Sequence, residues 1–277
     1  MAQSRGQREG VITMFTSVLV PVDVESPESA VPALEAGLRL ARDSGAAVTV
    51  LSVVSSWPED LARVDDELAP ELEAFADRHR GGARVDTAIR VGGAVAARIL
   101  DAVAELGVDL VAMASHDPVM SDYLIGSNAR HVALHAPCSV LVVRGQGAVE
   151  PKRILVPVDP AQPETAETAL GLAGRIAAET GAALTLLAVL PVAAEDSPDD
   201  VEAARARIAE MAQAQSGAEV IWRSAASPSG EIRAVAAEAG FDLVVMASHD
   251  PRPGDYLIGS NAAYVVLHTP CSVLVVR

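Results

Sequence analysis

Short unbroken apolar runs alternate along the chain with stretches in which apolar residues return every three or four positions. "SVLVPVD" from Ser17 to Asp23 is the first run and "AAVTVLSVV" from Ala46 to Val54 the second. Between them Ser26-Pro27-Glu28 predicts a helix start, with an N-cap hydroxyl, a proline at the first helical position and an acid in the first turn. Ala33, Leu34, Leu38 and Leu40 follow near helical spacing, and Gly45 closes the segment. Further on, "DELAPELEAFADRHRGG" reads as a helix, "ARVDTAIRVG" as a strand, "AVAARILDAVAELG" as a helix and "VDLVAMAS" as a strand. "GSNARHVALHA" reads as a helix and "CSVLVVR" as a last strand. Strands without polar alternation are buried on both faces, so the pattern predicts a parallel sheet covered by helices on each side.

The pattern then runs a second time. "VLVPVDVESPESAVPALEAGLRLARDSGAAVTVLSVV" from Val18 returns as "ILVPVDPAQPETAETALGLAGRIAAETGAALTLLAVL" from Ile154, and the segment Met113 to Arg144 returns almost unchanged as Met246 to Arg277. This is a tandem duplication of an α/β unit of five strands, expected over residues 14–146 and 150–277, joined by "GQGAVEPK" and preceded by a disordered lead-in over 1–13.

Composition narrows the function classes. Aromatics are only 3%, so the core must be built from Ala, Val, Leu and Ile. A net charge of −16 argues against nucleic acid and anionic membrane as partners, since both are met by basic surfaces. No apolar run reaches the roughly 20 residues of a membrane span, and the N-terminal stretch lacks a signal-peptide core, so a cytoplasmic protein is expected. The two cysteines, Cys138 and Cys271, occupy equivalent positions and read as buried free thiols of a reducing compartment.

In open α/β sheets ligands bind beyond the carboxyl ends of the strands, where the strand order reverses. The two richest polar clusters of each copy stand at such ends. Pro21-Val22-Asp23, repeated as Pro157-Val158-Asp159, closes the first strand. Its carboxylate is either an acceptor for a ribose hydroxyl or adenine amine, or part of a structural turn. After the fourth strand come Ala114-Ser115-His116-Asp117-Pro118 and, in the second copy, Ala247-Ser248-His249-Asp250-Pro251. Gly126-Ser127-Asn128 and Gly259-Ser260-Asn261 then open a helix. Backbone amides at a helix start form an anion site, unless Ser or Asn there only caps the helix. Neighbouring residues at a strand end point different ways, so His116 with Ser115 and Asp117 is not read as a catalytic triad, and no metal centre is expected.

The strand-end Pro-x-Asp, the Gly-Ser before a helix, the closing "HAPCSVLVVR" and the duplication resemble the universal stress protein family and its tandem members. The resemblance implies two Rossmann-like sheets of the adenine nucleotide α-hydrolase type. It also implies a non-enzymatic, cytoplasmic stress-response sensor or scaffold, and a site for ATP or AMP, with magnesium as companion ion. By position, Asp23 and Asp159 match the family's strand-one acid and Val53 and Val189 its strand-two contact. Gly126-Ser127 and Gly259-Ser260 match the end of its phosphate motif, Gly-x2-Gly-x9-Gly-Ser/Thr. The earlier glycines are replaced: Ala114 and Ala247 stand at the first, Asp117 and Asp250 at the second, and the spacing is one residue short. Asp-Pro stiffens the loop and removes an amide donor, and a carboxylate about 4 Å from a phosphate opposes it by roughly 1 to 4 kcal/mol. A degenerate interaction module without nucleotide and a weak ATP hydrolase therefore stay beside the nucleotide-binding reading. The resemblance further implies a dimerisation strand at "CSVLVVR", satisfied within the chain as a pseudo-dimer of its two copies, with a homodimer of chains beyond it.

Overall fold

The computed structural model describes residues 15–42, 44–54, 57–115, 125–145, 148–192, 198–248 and 258–277. The first copy contains β1 (Ser17–Pro21), α1 (Val31–Arg42), β2 (Ala47–Val54), α2 (Pro58–Arg63), α3 (Ala69–His79), β3 (Val85–Val91), α4 (Val95–Leu106), β4 (Leu110–Ala114), α5 (Ser127–His135) and β5 (Ser139–Val143). The second contains β6 (Arg153–Val158), α6 (Glu167–Thr180), β7 (Ala183–Leu190), α7 (Pro198–Ala214), β8 (Glu219–Ser224), α8 (Pro228–Glu238), β9 (Leu243–Ala247), α9 (Ser260–His268) and β10 (Ser272–Val276).

Each copy forms the expected parallel half-sheet of five strands, in the order 3-2-1-4-5, and the two halves are joined into one sheet of ten. The join is the antiparallel pairing of β5 with β10, with Leu141 opposite Leu274. Alternation along β1 sends Val18 and Val20 to one face and Leu19 to the other, and all three are fully buried. That is why the strands read as unbroken apolar runs. One face is covered by α1, α3, α6 and α7, the other by α4, α5, α8 and α9. Gly37 lets α1 lie close, since a Cβ there would stand 3.4 Å from Ala112 Cβ and from the methyls of Val18 and Val20.

Two local expectations are refined. The segment after Ser26 begins as a 3-10 turn, Pro27–Ala30, and the Ser26 hydroxyl makes no capping bond. The helical stretch before His79 starts with a π-helical turn over Val64–Leu68. Residues 1–14, including all of the expected lead-in, lie outside the described residues.

The seam is closed by a reciprocal pair of side chains. Arg144, just beyond β5, donates from Nη2 to Val266 O at 2.9 Å and from Nη1 to Cys271 O at 3.3 Å, while its backbone N–H donates to Ser272 Oγ at 2.9 Å. Arg277, just beyond β10, donates its N–H to Ser139 Oγ at 3.1 Å and its guanidinium reaches Ala136 O. Arg144 is buried, and burial holds its guanidinium below the ordinary arginine range.

Candidate functional site

Strand order reverses between β1 and β4, and again between β6 and β9, which places a crevice at the carboxyl ends of these strands. In the second copy the crevice is a cavity of about 320 Å3, at the small end of the roughly 300–1,000 Å3 usual for small-molecule sites. Its walls include Pro157, Val158 and Asp159 from the end of β6, Val189 from β7 and Ala247 from β9. Gly259, Ser260, Asn261 and Ala262 from the start of α9 complete this set. Eight residues singled out in the second copy on sequence grounds are thus brought together. Ser248 follows directly on β9, its N–H donating to Val276 O at 2.9 Å. His249 and Asp250 lie outside the described residues, as do His116 and Asp117.

The carboxylates do the work of a turn without being used up by it. Asp159 Oδ1 accepts the Ala161 N–H at 2.9 Å, and Asp159 O accepts the Gln162 N–H at 3.1 Å. Asp23 does the same toward Glu25 and Ser26. Among the described residues Oδ2 of each makes no hydrogen bond, and both side chains are exposed. The structural-turn reading of these acids therefore holds for one oxygen and leaves the other facing solvent.

At the helix starts the N-cap is glycine in both copies, Gly126 before α5 and Gly259 before α9, each in extended backbone with no side-chain capping bond. Ser127 and Asn128, like Ser260 and Asn261, stand within the first turn. They do not cap their helices. The first-turn amides carry the partial positive charge of a helix start, and among the described residues no side-chain bond is spent on it.

In the first copy the corresponding residues hold the corresponding places. Pro21 ends β1, Val22 is buried, Val53 sits half-buried in β2, and Ala114 and Ser115 mark the end of β4. The Ser115 N–H donates to Val143 O at 2.9 Å, matching Ser248. Cys138 and Cys271 lie away from both crevices, at the starts of β5 and β10, and burial pushes their thiols up to about 11 and about 12. At neutral pH they are inert thiols.

Sequence reasoning did not find the rest of the cavity wall, which includes Gln162, Thr165, Pro191, Pro228 and Ile232. Gln162 and Thr165 had a signal, being polar residues of the turn directly after the strand-one acid. Pro228 and Ile232 belong to α8, where nothing in the local pattern marks them.

A doubly wound parallel half-sheet, repeated and joined edge to edge, with a cavity at the switch point of the second copy, defines a tandem Rossmann-like α/β protein. A model of the universal stress protein family matches residues 14–144 and again 150–277. The chain belongs to the universal stress protein family, as a tandem member. Universal stress protein G of Shigella flexneri is 30% identical over 144 residues, covering 47% of this chain and all of that protein. The same-named protein of Salmonella typhimurium is 33% identical over 148 residues with the same coverage. Among solved structures, a putative universal stress protein from Pseudomonas aeruginosa shares the fold across 96% of this chain and 95% of its own, at 18% identity and a TM-score of 0.72. One from Archaeoglobus fulgidus covers 96% and 97%, at 20% identity and 0.67. Among the described residues no helix is long and apolar enough to cross a membrane.

Proposed function

We propose that this tandem universal stress protein is a non-enzymatic, cytoplasmic stress sensor or scaffold that takes an adenine nucleotide, AMP or ATP, at the carboxyl ends of its first and fourth strands. The observation that carries the reading is the start of α9, with glycine at its N-cap, facing the same cavity as Asp159 and Val189. The Asp159 carboxylate and Val189 would hold the adenosine half, and the amides and side chains of Gly259, Ser260 and Asn261 the phosphate. Asp23, Val53 and Gly126 to Asn128 would do the same in the first copy. Magnesium, a hard cation that keeps most of its waters, would enter with the phosphates of ATP. The β5–β10 pairing supports an intramolecular pseudo-dimer, and a homodimer of chains would have to use other surfaces.

One observation favours the degenerate-module alternative: Ala247 puts a methyl on the cavity wall where the family's motif has glycine. The two readings separate in a thermal-shift titration. A ligand at 100 times its Kd stabilises by about 2.7 kcal/mol, so millimolar AMP or ATP with magnesium should raise Tm by several degrees. The combined Ser127→Asp and Ser260→Asp variant should lose that shift. Aspartate is favourable at a helix start, so the variant keeps its fold while setting a carboxylate where phosphate would sit. No shift up to millimolar AMP or ATP leaves the degenerate module as the function, and steady ATP turnover makes the protein a hydrolase.

A further inference from the structure

On the exposed side of α5 stand two histidines one turn apart, His131 and His135. Positions i and i+4 of a helix lie one above the other, so both imidazoles project from the same strip of surface. Their ring centroids are 4.3 Å apart, with 23° between the planes. Zinc-binding helices of the His-Glu-x-x-His type use this spacing, because one ion can then meet a ring nitrogen from each histidine. Zinc–imidazole bonds are about 2.0–2.1 Å long, so a tetrahedral ion requires its two nitrogens about 3.3 Å apart. Stacked rings are close enough for that, and an imidazole turns about its Cβ–Cγ bond at little cost, which aims both at a shared ion.

Local bonding prepares one of the two nitrogens. His135 Nδ1 lies 2.8 Å from His131 O. A carbonyl only accepts, so Nδ1 carries the proton and Nε2 keeps its lone pair outward, the arrangement that orients metal-binding histidines. Among the described residues neither ring nitrogen of His131 makes a hydrogen bond. The pair also occupies the last turn of α5, where the unpaired carbonyls of the helix carry partial negative charge and favour a cation. Arg130 is the one lysine or arginine of α5, and it stands about 100° round the helix from His131. The chain's net charge of −16 works in the same direction, by raising the concentration of cations near its surface. Among the described residues no group of three or more His, Cys, Asp and Glu could hold a metal, so the protein supplies two ligands and water the others.

The duplication supplies a control for an ordinary packing role. In α9, Tyr264 stands where His131 does and His268 where His135 does. Their rings stack in the same way, with centroids 4.3 Å apart and 27° between the planes, and His268 Nδ1 lies 2.8 Å from Tyr264 O. A tyrosine therefore fills the structural place of His131, and the stack does not call for a second imidazole. Chemically the two helices differ, since zinc is bound by Cys, His, Asp and Glu and not ordinarily by a phenol. The second copy keeps the geometry and one ligand, while the first has both.

We propose that His131 and His135 form an open site for a divalent transition-metal ion of the zinc class, present in the first copy and absent from the second. Imidazole selects such ions over magnesium and calcium, which prefer oxygen ligands. The site does not depend on nucleotide binding at the crevices. The test is titration of the full chain with Zn2+ at neutral pH, in a non-chelating buffer containing millimolar Mg2+, read by competition with a zinc-indicator dye. One zinc per chain is expected at this pair, and His131→Tyr or His135→Ala should weaken it at least tenfold. Both positions are exposed, so the circular dichroism of these variants and any AMP-induced Tm shift should match the unaltered chain. Tyr264→His completes the same pair with His268 and should add a second equivalent of zinc. Absence of binding at millimolar Zn2+ overturns the proposal. Zinc binding that His131→Tyr leaves unchanged overturns it too, as does a Tyr264→His variant that takes up no additional zinc.

Discussion

Replacing Arg144 by alanine tests the energetics of the seam, because the side chain can be removed without touching the strand pairing. The backbone bond from Arg144 N–H to Ser272 Oγ and the β5–β10 ladder remain in the variant. What goes is the guanidinium, with its bonds to Val266 O near the end of α9 and to Cys271 O. Bonds from a charged donor are worth about 1.5–3 kcal/mol each, and a buried carbonyl left without a partner costs about 1–3 kcal/mol. Against this, relief from holding a buried charge returns several kcal/mol, since the guanidinium is met by carbonyls and, among the described residues, by no carboxylate. The balance is a loss of about 2–3 kcal/mol, or roughly 3–5 °C in Tm for a chain of this size. Arg277→Ala is the internal comparison: the same position in the second copy is exposed and should lose less than about 1 kcal/mol. Urea unfolding followed by circular dichroism measures both. A loss under about 0.5 kcal/mol for Arg144→Ala, or equal losses for the two variants, would show that the burial argument is wrong.

Two further outcomes are expected. Burial raises the thiols of Cys138 and Cys271 above their ordinary value of 9.0, to about 11 and about 12, so each favours the folded state in its neutral form. That contribution is complete below about pH 9 and fades as pH rises through about 11 to 12, and a thiol reagent at about pH 8 should label neither residue until urea unfolds the chain; rapid labelling of the native protein refutes this. Gly107 ends α4 in the left-handed region at φ +61°, and a Cβ added there would meet no atom within 4 Å. Gly107→Ala should therefore cost about 1 kcal/mol through backbone strain alone, and Gly107→Asn should cost less in the same denaturant assay.

Burial on both sides made the elements legible: β1, β2, β4 and β5 are largely apolar at the register positions that face either helix layer, and their ends fell close to the expected ones. The single ten-stranded sheet was less legible, because an apolar strand says that it is covered and not by which neighbour. Arg144 and Arg277, each ending an otherwise apolar run, were the visible trace of that seam. At the crevice, Gly259 to Asn261 and Asp159 were found because polar residues at the ends of buried strands have no packing reason to be there. Pro228 and Ile232 were missed because on α8 an apolar residue facing a cavity looks the same as one facing the core.

The β5–β10 seam also changes how the two copies respond to dilution and to mutation. Separate subunits held by one strand edge part as their concentration falls, whereas copies tethered through residues 145–152 meet at an effective concentration fixed by the linker. Identical subunits must accept every mutation twice. Here each half accepts its own, so the first copy carries Arg42 and the second Ala178 without disturbing the edge they share.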